Sequence, residues 1–484
     1  MSISATLANA LSGLGVSSRS AEVVSANLAN AMTEGYGRRE IHLETRWIAG
    51  NSAGARVAGV SRNTDQQLIG ERWLASAELA LEMGRGEFWQ DLRMRLGAPD
   101  DPGALTSLID DVEASLIEAA SRPDSVPRQD GVLRSAERLT HALNDASDAV
   151  QAQRMRADQA IADEIDLLNS TLAQIHDLNT NIRANATAGR DVNALMDQRQ
   201  VAIDRLAQIV PVHTARRDFD HVAIYTSGGA ILLDGPPPQI DYTPVGVITA
   251  DMTVASGALN EATLRGRPMS GLQPGALSGG RLGALFEARD VLAIEAQGDL
   301  DALARNLIER FSSPGVDPTL GAGQPGLFTD AGAAMNAANE AGVAGRIAIN
   351  MAADPNQGGQ IWRIRDGLGA AVQGNVGDAT LLQNLTDALS QQSAAASGQF
   401  AGLPRSVSGL AAEIISIVNA NLGSATAARD SAQAQHDTFK AAELRGGVDS
   451  DAEMRNLMMI EQAYAANARV ITTADEMLQI LLNM

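Results

Sequence analysis

The sequence predicts a mainly α protein: long antiparallel helices, N- and C-terminal helices paired in the manner of a coiled coil, and a small β-rich insert. Three observations predict it. Both ends of the chain carry apolar residues at seven-residue spacing, which places them on a narrow helical seam. Hydrophobic content is 45% but aromatic content only 3%, and much of the apolar fraction is alanine; that mixture suits closely packed helices better than broad mixed cores. Strand-like runs are concentrated between residues 211 and 280.

From Ile3 to about Met32 the pattern is helical. Leu7, Leu14, Ala21 and Leu28 form one series at spacing seven, and Ile3, Ala10, Ser17 and Val24 a second. Gly13 and Gly15 each cost such a helix roughly 1 kcal/mol against alanine, so it is not expected to be stable alone. Asn51–Gly59 reads as a loop leading into a short extended piece, Val57–Val60. These make a first segment, 1–60, of assembly helix and loop. Helices at about 64–96, 104–121, 129–184 and 193–209 make a long-helix core, 61–210. Asp100-Asp101-Pro102-Gly103 breaks it, with acids near the next helix start, where the macrodipole favours them.

Residues 211–280 form the β-rich insert. His221–Gly235 reads as two strands joined at Gly228-Gly229, and Val245–Val254 as a further β-like run. A core helix follows at 281–312, then a Gly- and Pro-rich segment, 313–376, with short strands at Arg346–Met351 and Gln360–Arg365. Core helices return in 377–449. Gly446-Gly447 then sets off a C-terminal assembly helix, 450–484. Leu457, Tyr464, Ile471 and Leu478 repeat the opening pattern, as do Ile460, Asn467, Ala474 and Leu481. An amide such as Asn467 in a seam costs stability but fixes register.

The net charge of −21, from 58 acidic and 37 basic residues, opposes binding to nucleic acid backbones and anionic membranes. Lys440 is the single lysine, as a GC-rich coding bias would produce. There are no cysteines, which excludes disulfides, thiol catalysis and thiolate metal sites. The opening MSISATLANALSGLG has no basic region and no continuous apolar run, so no cleavable signal peptide is expected. No run approaches the roughly 20 apolar residues of a membrane helix.

Fragments that resemble active-site motifs fail on context. Gly321, Gly323 and Gly326 have dinucleotide-loop spacing but follow a Pro-rich loop and enclose Pro325. Residues 354–365 begin like a calcium loop, yet the twelfth position is Arg365 rather than glutamate. His213 and His221 flank Arg216, Arg217, Asp218 and Asp220, which a polar hairpin loop explains as well as a metal does. No catalytic, cofactor-binding or metal-ligating residue is assigned, and no enzyme is expected.

The segment Asn27–Arg38, NLANAMTEGYGR, resembles the N-terminal signature of the bacterial flagellar axial proteins, the family of rod, hook and hook-associated proteins. Residues 57–68 fit that family's next block, and the terminal GVDSDAEMRNLMMIEQAYAANARVITTADEMLQILLNM is similar to its C-terminal helix. Asn193–Val210 resembles the segment after the long helix in the hook-associated protein 1 branch. Phe328 in GLFTD and the run Arg346–Asn350 also fall where that branch places similar elements. One departure stands out. Members often carry an outer β domain between those two elements, and only Thr329–Gly345 separates them here, so that domain is missing or replaced by the 211–280 insert.

The resemblance implies a structural subunit of the hook–filament junction, needed for filament assembly. It implies a ring of copies of itself, contacts to the hook protein and to a second hook–filament junction protein, and a flagellar export chaperone, without nucleic acid or membrane. The location implied is outside the cell on the flagellum, after type III export. The implied assembly interface comprises Leu7, Leu14, Ala21, Val24, Asn27, Leu28, Asn30, Gly35, Tyr36 and Arg38. At the other end it comprises Leu457, Ile460, Tyr464, Asn467, Ile471, Ala474, Leu478 and Leu481. On this reading the two leucine-rich series pack together within and between subunits, and Asn27, Asn30 and Asn467 satisfy one another or nearby carbonyls. Gly35 supplies a left-handed turn, Tyr36 anchors that turn in a neighbour's groove, and Arg38 and Arg39 meet acidic partners. The termini would be mobile in the monomer and ordered on assembly. The alternatives are another axial protein, a hook or distal rod subunit, or a secreted adhesin or enzyme with flagellar export termini and activity in 211–376.

Overall fold

The computed structural model describes residues 3–48, 51–97 and 101–483; Asp100, at the expected helix break, lies outside them. Helices hold 61% of the residues. They are α1 (Ile3–Ala29), α2 (Gln66–Leu96), α3 (Leu105–Ser121), α4 (Val126–Thr187), α5 (Asn193–Ile209) and α6 (Gly280–Glu287). After a π turn at Ala288–Leu292 come α7 (Ala293–Phe311), α8 (Arg363–Asp366), α9 (Thr380–Ser390), α10 (Val407–Gly446) and α11 (Ser450–Leu482). The strands are β1 (Arg38–Ile48), β2 (Asn51–Asn63), β3 (Val212–Arg216), β4 (Val222–Thr226), β5 (Ile231–Leu233) and β6 (Ile240–Asp241). Shorter ones follow: β7 (Ala262–Leu264), β8 (Arg267–Met269), β9 (Phe328–Asp330), β10 (Ile347–Ile349), β11 (Ser393–Ala394) and β12 (Pro404–Arg405). None of the helices is long and apolar enough to cross a membrane.

The chain divides into two compact units. One holds 1–79, 167–239 and 432–484; the other holds 80–166 and 240–431. In the first, β1 and β2 form an antiparallel hairpin with irregularities between His42 and Leu43 and between Thr45 and Trp47. The loop expected at Asn51–Gly59 is therefore part of a strand. Gly54 misleads because its role is contact: at φ +96° it lies against Ser12 of α1, where a Cβ would overlap the serine hydroxyl. The β3–β4–β5 sheet follows the expected hairpin, closing through Gly229 at φ +87°. The start of its central strand β4 is held by Asn179 of α4. The amide donates to the Val222 carbonyl at 2.9 Å and accepts from the Val222 N–H at 3.3 Å, as a neighbouring strand would.

The second unit is built on one apolar core drawn from α3, the first half of α4, α7, α9 and α10, with Phe311 edge-on to Phe328 at 4.9 Å. The expected insert 211–280 is divided, since the units separate between Gln239 and Ile240 and β6–β7–β8 belong to the second. Val245–Val254 is not a strand. Buried side chains of α4 take the backbone groups a ladder would need: Asp158 accepts from Val245 N at 2.6 Å, and Arg154 donates to the carbonyls of Thr249 at 3.0 Å and Met252 at 2.5 Å. Gln360–Arg365 also departs from a strand. It enters the short helix α8 between Gly358 at φ +86° and Gly367 at φ +109°, which leave too few residues for a ladder. Phe328 and the run at 346–350 do come together, as the antiparallel pair β9–β10. The short connection between them is fixed by Asp301 of α7, which accepts from Gly342 N at 2.7 Å and Ala344 N at 2.8 Å. No outer domain stands at that point.

Candidate functional site

The chain ends meet in the first unit. Helix α1 packs against α11 and against the β1–β2 hairpin. The pairing is antiparallel: Gly13 lies against Asn467, and Arg38, just beyond α1, pairs with Glu453 at the start of α11, Nε to Oε1 2.7 Å. Asp449 caps α11, accepting from Asp451 N and Ala452 N at 2.9 and 3.0 Å, and these bonds hold its carboxyl below the usual carboxylate range. Gly13, a weakness in an isolated helix, has a use here. A Cβ would stand 2.6 Å from Asn467 Nδ2, so a side chain there would push the amide aside.

The signature segment folds back on α1 through Asn27, which is 1% exposed. Its Oδ1 accepts from Arg39 N at 2.8 Å and from the Tyr36 hydroxyl at 2.9 Å, and its Nδ2 donates to the Arg39 carbonyl at 2.9 Å. One amide thus pairs both backbone groups at the start of β1. Gly35 turns the chain at φ +75°, and a Cβ there would overlap Val201 Cγ2 of α5. Asp197 of α5 receives Gly37 N at 3.1 Å, pairs with Arg62 at 2.8 Å and also with Arg39. The Arg39 guanidinium stacks 4.8 Å from the centre of the Tyr36 ring, and burial pushes the Tyr36 hydroxyl pKa up. The blocks 27–39 and 193–210, read separately in sequence, are two halves of one clamp.

The expected interface residues separate into groups. Val24, Asn27 and Ala474 are buried, while Leu7, Leu14, Ala21, Leu457, Ile460, Asn467, Ile471 and Leu478 are half-buried in the α1–α11 region. Leu28 at 36% exposed, Tyr464 at 47% and Leu481 at 58% face outward. The three amides do not reach one another; Asn30 and Asn467 donate to carbonyls one turn back, Ala26 and Ala463. Tyr36 bonds Asn27 and stacks with Arg39 of its own chain, and Arg38 and Arg39 meet this chain's own carboxylates. Arg62, Asp197 and Glu453 are not among the expected residues, although each is a charged position inside a block that the resemblance marks.

Helix α11 also carries a second apolar stripe that no described residue covers. Met459, Ala463, Ala466, Val470, Met477 and Leu481 recur at spacings of four, three, four, seven and four, and all are exposed. Met459 and Ala463 continue into a groove of about 440 Å³ bounded by α1, β1 and α11. Among the described residues no group of side chains is arranged to hold a metal.

Replacing Gly35 by alanine is expected to destabilise this unit by about 2–4 kcal/mol, combining the left-handed backbone with overpacking against Val201. Denaturant unfolding of the full chain measures it. A loss under about 0.5 kcal/mol, the range of ordinary surface changes, would show that the turn has slack.

Comparisons with known proteins agree on one family. Residues 98–317 match the flagellar hook-associated protein FlgK helical domain, and 446–484 match the flagellar basal body rod FlgEFG protein C-terminal model. Flagellar hook-associated protein 1 of Bacillus subtilis is 22% identical over 94% of this chain and 93% of its own length. That of Escherichia coli is 23% identical over 100% of both chains, and that of Salmonella typhimurium 24% identical over 56% of this chain and 51% of its own. The solved structure of the flagellar hook junction protein FlgK from Burkholderia pseudomallei aligns over 55% of this chain and 46% of that one, at 20% identity and TM-score 0.43. With a helical domain of one branch, a C-terminal helix common to rod and hook proteins, and relatives aligned from end to end, the chain is similar to flagellar hook-associated protein 1.

Proposed function

We propose that the protein is a structural subunit of the bacterial flagellum that forms the junction between hook and filament and is needed for filament assembly. Similarity to flagellar hook-associated protein 1 supports the role, and the observation that carries its mechanism is the exposed apolar stripe of α11. A helix that has already packed one face against α1 and still presents Met459, Val470, Met477 and Leu481 to water is only half covered. Copies of the chain stacked in a ring would bury that face, at roughly 25 cal/mol per Å² of apolar surface removed from water. The buried clamp at Asn27, Gly35 and Asp197 would then act inside each subunit, holding α1, β1 and α5 in fixed relation so that the stripe is presented at one angle.

On this reading the partners are further copies of the chain, the hook protein on one side and a second junction protein on the other. A flagellar export chaperone holds the chain before type III export, and the working location is extracellular. The protein is not an enzyme. A hook or distal rod subunit is the weaker reading, since the helical-domain match over 98–317 is to the hook-associated branch.

Electron microscopy of a deletion strain tests the function: intact hooks without filaments, and flagellin released into the medium, are expected. The double variant Val470→Glu with Met477→Glu tests the surface. Both sites are exposed, so monomer stability should change by no more than about 0.5 kcal/mol per site, while filament-bearing hooks should be lost. Normal filaments on cells with the double variant would rule the stripe out as an assembly surface.

A further inference from the structure

The unit that holds the chain ends contains a second concavity, of about 340 Å³, beside the start of α5. Its lining is unexpected in a chain of net charge −21. Arg62, Arg190, Arg199 and Arg216 face it, against Asp191 and Asp220. Arg199 is 8% exposed, and its Nη1 donates to two neutral acceptors, Asn179 Oδ1 at 2.8 Å and the Asp220 carbonyl at 2.6 Å. Arg62 shares Asp197 with Arg39. Even with Asp197 included, three carboxylates face four guanidiniums, so the lining keeps a cationic excess. Arg190 and Arg216 are exposed, at the rim. Burial, with Arg62 and Arg216 adding to it and Asp220 opposing, lowers the Arg199 pKa to about 10. Burial and the charges of Arg183 and Arg199 hold His221 below its ordinary value.

The helix adds to this field. Residues 190–193 line the cavity at the start of α5, where Val192 offers no side-chain acceptor and Asp191 takes one N–H, that of Asn193, at 2.9 Å. The buried Arg199 guanidinium bonds neutral oxygens through Nη1, and Asp220 offsets its charge only in part.

We infer that this cavity binds a small oxyanion of the phosphate or sulfate class, held between Arg199 on the floor and Arg190 and Arg216 at the rim. Guanidinium groups bond such ions through two parallel N–H donors, and the start of a helix adds favourable dipoles. At about 30 Å³ per water the space admits the ion with part of its hydration. The bound ion would tie α5 to the loop between β3 and β4, independently of whether the chain assembles.

Titration calorimetry of the full chain with inorganic phosphate, at constant ionic strength against chloride, tests this. Saturable binding with Kd on the order of 1 mM or tighter is expected. Arg216→Gln, at an exposed position where folding should be unaffected, should weaken it about tenfold. Saturation should also shift the His221 imidazole titration upward in nuclear magnetic resonance spectra. The absence of saturable heat, equal affinity in Arg216→Gln, or an unmoved His221 titration would each overturn the assignment.

Discussion

Alanine at Asp158 is expected to destabilise the second unit by about 4 kcal/mol, the larger of the two strongest effects foreseen for this chain. Asp158 and Arg289 are both 0% exposed at their side chains and pair at 2.6 Å. Arg289 also pairs with Asp290, Nε to Oδ1 2.7 Å, so removing Asp158 leaves the guanidinium only partly compensated, toward the lower part of the about 3–5 kcal/mol that breaking a buried pair costs. The damage spreads because Asp158 also accepts from Val245 N and from the Tyr242 hydroxyl. Burial holds the Tyr242 hydroxyl far above its ordinary pKa, so it stays a donor at neutral pH and loses its acceptor. Arg289 sits in the π turn between α6 and α7, whose carbonyl at that residue receives Arg154 Nε at 3.0 Å. The double variant Asp158→Leu with Arg289→Met should not recover the loss, since Asp290 is then left nearly buried without its guanidinium and Val245 N and Tyr242 keep no acceptor. Denaturant unfolding of the full chain reads these differences. Equal stability of Asp158→Ala and the parent would show that water reaches the pair.

Asn27→Ala should cost the first unit about 3 kcal/mol. The amide satisfies three groups at once, the Arg39 N–H, the Arg39 carbonyl and the Tyr36 hydroxyl, and each buried group left unpaired costs about 1–3 kcal/mol. Tyr36 is half-buried and can recover part by turning to water, which sets the figure near the lower end. Asn27→Asp separates the terms. It keeps the acceptor for Arg39 N and Tyr36 but places a carboxylate oxygen against the Arg39 carbonyl, so it should also be destabilising, and more so above the carboxylate pKa than below it. Amide exchange at Arg39 is the direct readout. If that amide stayed as protected in Asn27→Ala as in the parent, the clamp would not hold β1 in place.

Much of the helical layout was legible from residues alone. The helices 66–96, 105–121, 193–209 and 450–482 lie within a few residues of their expected bounds, since each has a sustained apolar period and Gly, Pro or acidic punctuation at its ends. What differed has a physical reason in each case. Asn51–Gly59 is a strand rather than a loop, and neither Val245–Val254 nor Gln360–Arg365 is a strand. In the first two, distant side chains decide the backbone, Ser12 against Gly54 and Asp158 and Arg154 on the 245–252 backbone; in the third, a flanking pair of positive-φ glycines does. Local propensity holds only where tertiary partners do not claim the backbone hydrogen bonds.

The candidate site followed the same rule. The seam residues were visible because spacing alone puts them on one face of a helix. The clamp was not, because Asn27 and Asp197 are 170 positions apart in sequence, and neither shows its partner by spacing.

The sequence by itself determined the fold class, the pairing of the two chain ends and the family resemblance, since periodicity, punctuation and short motifs are local properties that need no neighbours. The tertiary structure alone decided which face of α11 is already covered by α1 and which is left open, that Tyr36 closes on its own chain, and where arginines gather around a cavity. Those are questions of which surfaces remain after the interior is filled, and hydrogen bonds and charges between residues far apart in the chain settle them only once it has folded.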